Sequence, residues 1–213
     1  MDCGTRGCDG NAQRRPEFCL TENLPEGLLE ESLRSYQDGA DGEILRVAAT
    51  VEHDGYLRWC RVQETMEFAR RMGYRRIGIA TCVGLLSESR TLARILRANG
   101  FEVFGVGCKT GMVCKTDVGI DPVCCEVGRN TCNPVLQAEV LNREGTELNI
   151  VVGLCVGHDA LFYRHSEAPV TTLVAKDRVL ANNPVGALYT ANSYYSRLEN
   201  IDGERPLPKQ RAS

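Results

Sequence analysis

Hydrophobic and polar positions along this chain follow one rhythm up to about residue 74 and another after it. The first 23 residues have no hydrophobic periodicity, so we read residues 1–23 as an irregular segment. Three helices are then predicted. LPEGLLEESLRSYQ opens with Pro25 and sets Leu24, Leu28 and Leu29 on one face, and Asp41 is placed to cap EILRVAATVEH. VQETMEFARRMG stops at Gly73, a residue suited to a helix C-terminus. Together these helices form a helical layer over residues 24–73.

From Arg75 onward short β-type runs alternate with helical stretches. RRIGIAT reads as a strand, followed by ESRTLARILRAN with Ser87 as its cap and Gly100 as its stop. FEVFGVG is a second strand. After a longer loop Asn133 caps a helix with Pro134 at its first position, running to Gly145. NIVVGLC is a third strand, Asp159 to Arg164 a short helix, and VTTLVAK a fourth strand. Asn183-Pro184 opens a last helix through GALYTANSYYSRL, and the polar segment 199–213 is expected to be a flexible tail. Strands that are apolar on both faces and alternate with helices predict an α/β fold. We expect a doubly wound, Rossmann-like parallel sheet of about four strands over residues 75–198, within a single domain spanning 24–198.

Composition then narrows the function classes. The chain has 213 residues, 43% hydrophobic and 25% charged, with a formal net charge of −3, so a nucleic acid or a membrane is not expected as a partner. The start is polar and the longest apolar run, Ile150 to Val156, is too short to span a bilayer, so a cytoplasmic protein is expected. Against that background the eleven cysteines stand out. In a reducing compartment, grouped cysteines serve as metal ligands or catalytic groups more often than as bridges.

Their positions carry the argument. In a parallel sheet the C-terminal strand ends and the following helix N-termini share one rim, where ligands bind. Cys82 follows the first strand, Cys108 the second and Cys155 the third, while Cys132 sits just before Asn133-Pro134. Unpaired N–H groups at helix starts favour thiolate, the form that binds zinc or an iron–sulfur cluster, here of the 4Fe-4S type. Cys82-Val-Gly84 and Cys155-Val-Gly157 repeat one another at strand-to-helix turns, and the two glycines would let backbone approach a cofactor closely. Cys3, Cys8 and Cys19 are candidates for a second metal site, with Cys60, His53 or a water completing it. His158, Lys109 and Lys176 are the candidate catalytic residues, with Arg178 a further cation for an anionic substrate or cluster. Cys114, Cys124 and Cys125 lie in the long loop and are set aside. Gly105-Val-Gly-Cys-Lys-Thr-Gly111 matches neither the dinucleotide fingerprint nor a phosphate loop.

The strings GYLRWCRVQETMEFARRMGYRRIGIATCVGL, GCK, CNPVLQAEVLN, LNIVVGLCVGHDALF and APVTTLVAKDRVLANNPVGALY resemble an uncharacterised bacterial and archaeal family, domain of unknown function 1847, described as predicted metal-binding. The resemblance implies that Cys82, Cys108, Cys132 and Cys155 are family positions, together with Cys3, Cys8 and Cys19. The expected function is therefore metal or iron–sulfur binding, with catalysis of sulfur or thiol chemistry on a small-molecule substrate if one coordination position is open. The alternatives are a structural zinc protein, a metal storage, sensing or delivery protein, and a metal-free thiol redox protein.

Overall fold

A computed structural model describes residues 3–5, 7–10 and 14–199. The tail expected over 199–213 therefore lies outside the described residues from position 200 onward. The chain divides into two compact units, Met1–Met72 and Gly73–Ser213.

In the first unit the helices are α1 (Leu28–Arg34), α2 (Ala40–Gly55) and α3 (Arg61–Arg71). The expected start of α1 at Leu24 moves to Leu28 because Gly27 takes a left-handed conformation at the N-cap. Asp41 falls inside the first turn of α2 instead of capping it, as Gly39 occupies that place. The α2–α3 corner closes on Trp59, and a Cβ on Gly55 would lie 2.4 Å from its ring. Arg71 stacks its guanidinium 5.7 Å from the Trp59 centroid and pairs with Asp54 at 2.8 Å.

The second unit is a four-stranded parallel sheet in the order β2-β1-β3-β4, built from β1 (Arg76–Thr81), β2 (Glu102–Gly107), β3 (Leu148–Val152) and β4 (Val170–Val174). The order reverses between β1 and β3, which makes the sheet doubly wound. Helix α4 (Leu86–Ala98) packs on β1 and β2, as does α5 (Pro134–Arg143), which also packs on α6 (His158–His165). Alternation along the strands sorts the side chains. Ala80 and Val106 join Val151, Leu141 and Phe162 in one buried cluster, and Cys82 and Cys108 continue the same parity into it.

Two helix boundaries in this unit differ from expectation. Ser87 does not cap α4, because a 3-10 turn over Val83–Leu85 leads into the helix from Cys82. The last helix, α7 (Val185–Tyr189), is much shorter than predicted, and the chain beyond it runs in turns to a 3-10 turn at Ser196–Leu198. Asn133 caps α5 as expected, its Oδ1 accepting from the Leu136 N–H at 3.0 Å.

Polar groups pin the bottom of the sheet. Asn149 is fully buried, accepts from the Thr146 hydroxyl at 2.8 Å and donates to Ser166 at 2.8 Å. It packs against Gly78, where a Cβ would come within 1.9 Å of Asn149 Oδ1. Gly78→Ala is therefore expected to lower stability by roughly 3 kcal/mol, read from the urea midpoint. Glu147 accepts the Arg75 and Arg76 N–H groups at 2.6 and 2.9 Å, and these bonds hold its carboxyl below the usual range. A lowered folded-state pKa contributes stability above the unfolded value of about 4.3, lost as pH falls through the folded value. Wild type should thus melt above Glu147→Gln at neutral pH, and the gap should close in acid.

Candidate functional site

The rim cysteines reach their places by backbone pairing. The Cys82 N–H donates to Val152 O at 3.1 Å and the Cys108 N–H to Thr81 O at 2.8 Å, extending both ladders by one residue. Cys108 O then accepts the Asn133 N–H at 2.7 Å, which folds the long loop back and lays Cys132 beside Cys108. The two sulfurs stand 3.4 Å apart. Val83 N–H donates to Cys108 Sγ and Gly84 N–H to Cys82 Sγ, both at 3.4 Å. Cys82 also acts on Cys108, in the direction that favours its thiolate.

The Cys108–Cys132 contact shifts the two thiols in opposite directions. The hydrogen bond with Cys108, aided by Lys109, brings Cys132 down to about 7 against its burial. The same bond, with burial, pushes Cys108 up. Cys155 is half-buried. Its Sγ accepts from Arg178 Nη2 at 2.9 Å.

Two cations complete the rim. Lys176 Nζ would lie 3.6 Å from a Cβ on Gly84, and the same Cβ would lie 3.7 Å from Cys82 Sγ. Lys109 Nζ donates to Asn130 O, inside the loop that carries Cys132. Among the described residues no carboxylate pairs with Lys109, Lys176 or Arg178. The neighbouring acids are engaged elsewhere: Asp159 accepts the Gly157 and Ala160 N–H groups, and Asp177 those of Val179 and Leu180. His158 opens α6 and is held below its usual pKa chiefly by burial, with Arg178 and Lys109 acting in the same direction.

The repeated Cys-Val-Gly turns are not alike. Gly84 gives its N–H to the Cys82 thiol, whereas Gly157 is a glycine because the α6 N-cap needs a left-handed backbone, φ 84°. No atom lies within 4 Å of where a Gly157 Cβ would sit. The sequence reading missed two supports. Gln137 is fully buried on α5 and donates to Thr81 O and Val106 O. Its signal was a polar residue in the 134/137/138/141 spacing of a buried helix face. Leu85 packs into Gly153, where a Cβ would meet Leu85 Cδ1 at 2.1 Å.

The N-terminal cysteines lie in the other unit. Cys8 Sγ contacts the Thr21 hydroxyl at 3.3 Å, Cys19 hydrogen-bonds to the same hydroxyl, which lowers its pKa, and Cys3 contacts Thr5. His53 is bonded to Asp54 at 2.8 Å, and Cys60 starts α3 with its N–H on Gln63. Cys114 is bonded to the Thr116 hydroxyl within the long loop. Among the described residues, no three His, Cys, Asp or Glu side chains are arranged to hold a metal ion. No helix among them is long and apolar enough to cross a membrane.

Residues 19–173 match the family described as protein of unknown function (DUF1847). The chain belongs to that family. An uncharacterised protein of Methanocaldococcus jannaschii is 40% identical over 185 residues, 86% of this chain and 94% of that protein. Among solved structures, Dph2 from Pyrococcus horikoshii aligns at 17% identity with a TM-score of 0.37, over 66% of this chain and 32% of Dph2. The family description covers β1 to β3 and all four rim cysteines, and it names no activity.

The Leu85–Gly153 contact locks the turn after β1 against the end of β3. Gly153 has φ 67°, so Gly153→Ala combines a clash with backbone strain. We expect a loss of about 2–3 kcal/mol in urea unfolding, only partly relieved by adding Leu85→Ala.

Proposed function

We propose that Cys82, Cys108, Cys132 and Cys155 form a thiolate centre that takes up zinc or iron, the latter alone or as an iron–sulfur cluster. The observation that carries this reading is the charge balance of the rim. Lys109, Lys176 and Arg178 have no carboxylate partner among the described residues, and Arg178 points its guanidinium at a sulfur. Neutral thiols give such a set of cations nothing to balance, whereas metal-bound thiolates carry net negative charge. The two backbone N–H groups aimed at Cys82 and Cys108 sulfur are the donors that such thiolates use. The 3.4 Å separation of Cys108 and Cys132 is also near the edge of about 3.8 Å of a tetrahedron with zinc–sulfur bonds of about 2.3 Å. A bound metal would supply Lewis acidity or electron transfer. Lys109, Lys176 and Arg178 would draw an anionic small molecule to it, and His158 would hold or release a proton.

The same sulfur contact supports a second reading, a dithiol that cycles with a disulfide. Cys132 thiolate would attack an external disulfide such as oxidised glutathione, releasing one glutathione thiol. Cys108 would then displace the second, leaving a Cys108–Cys132 disulfide and two reduced thiols.

The test is purification of the full chain without oxygen, followed by iron, zinc and acid-labile sulfide assays and a visible spectrum. The metal reading expects about one centre per chain, lost in Cys108→Ala and Cys132→Ala and kept in Cys114→Ala. Protein without metal after reconstitution would overturn it. Formation of the Cys108–Cys132 disulfide with oxidised glutathione would then favour the dithiol.

A further inference from the structure

The opposite face of the same two strands carries a groove of about 330 Å3 between α4 and β2. Strand alternation places Val103, Gly105 and Gly107 on this face beside Ile79 and Thr81 of β1, so its floor is bare backbone at the two glycines of β2. Ala93 forms part of the wall on α4, and Arg90 and Arg97 line the groove from the same helix.

The glycine at 105 has no explanation in the fold. A Cβ there would meet nothing within 4 Å, and its φ lies outside the left-handed region. This is the reverse of Gly78, where a Cβ would collide with Asn149. A β-branched residue at 105 would fit and would suit a strand better, so glycine sacrifices local stability there. What it preserves is the open trough.

The charge around the trough is equally one-sided. Arg90, Arg94 and Arg97 recur at helical spacing along α4, and among the described residues none of them is paired with a carboxylate. Like charges at that spacing repel one another unless an anion lies between them. Arg97 donates to Val103 O at 2.9 Å, while Arg90 is free for a ligand. The hydroxyls at the other end of the groove are engaged, Ser89 donating to Thr81 at 2.6 Å and Thr81 to Cys82 O. A polyhydroxy ligand would therefore find few free partners, whereas a flat apolar one would lie well on glycine backbone.

We propose that this groove binds a small, flat, apolar molecule bearing one anionic group, with its ring system over Gly105 and its anion on Arg90. The site is separate from the thiol centre and does not depend on what that centre holds.

The experiment is a fluorescence titration of the full, reduced chain with 1-anilinonaphthalene-8-sulfonate, a flat aromatic sulfonate. Wild type is compared with Gly105→Val, Arg90→Gln and Arg90→Lys, each checked for fold by circular dichroism. One saturable site is expected, weakened about tenfold or more by Gly105→Val and about tenfold by Arg90→Gln, with Arg90→Lys close to wild type. The uncharged dye N-phenyl-1-naphthylamine should lose affinity in Gly105→Val and keep it in Arg90→Gln. Absence of a saturable site, or unchanged sulfonate binding in Arg90→Gln, would overturn the proposal. The Arg90 variants decide it even if Gly105→Val does not fold.

Discussion

The Gln137 side chain enters the sheet from α5 and donates its amide to Thr81 O and Val106 O, at 3.2 and 2.7 Å. Those carbonyls lie one and two residues before Cys82 and Cys108 respectively. The amide clamps the ends of β1 and β2 at a fixed separation just where the chain turns into the thiol rim. The Thr81 carbonyl also accepts the Cys108 N–H, so one oxygen serves both the ladder and the clamp. Gln137 Oε1 has no hydrogen-bond partner among the described residues, which costs about 1–3 kcal/mol in a fully buried site. That penalty is tolerated because the two N–H bonds hold strand ends that would otherwise splay.

Electrostatics adds a second constraint. Asp159 and Asp177, the acids that follow β3 and β4, both turn their carboxylates onto backbone N–H groups, and among the described residues Lys176 and Arg178 are left without counter-ions. The turns are thus built so that loop geometry and rim potential come from the same residues. A chain with net negative charge presents positive charge at both the thiol rim and the α4 groove.

Much of this was legible in the order of residues. The four strands are short, largely apolar runs bounded by turn residues, and that pattern gave the parallel sheet and the edge on which its C-terminal strand ends lie. Helix starts were harder to place, because Cys82 and its 3-10 turn took over the role expected of Ser87. The last helix stopped early, in a stretch where the Thr190 and Ser193 hydroxyls bond to the backbone. Of the apolar face expected on the first helix, Leu24 lies outside α1, and Leu28 and Leu29 remain exposed. Gln137 was not singled out, and Gly105 entered only as the start of a motif that did not match, for a shared reason. One is a polar residue in a buried stripe and the other a glycine within a strand, and the pattern shows that each is out of place without showing what it touches.

The rim has a consequence for how the protein is made. Its sulfur atoms come from segments far apart in the chain, with β1 central and synthesised before both of its neighbours. A growing chain leaving the ribosome has no such site while only Cys82 and Cys108 have emerged. Cys155 and Arg178 come last, and they meet the others only once β3 has crossed to the far side of β1. The full set of four thiols is thereby brought together by long-range strand pairing and not by any local segment of the chain.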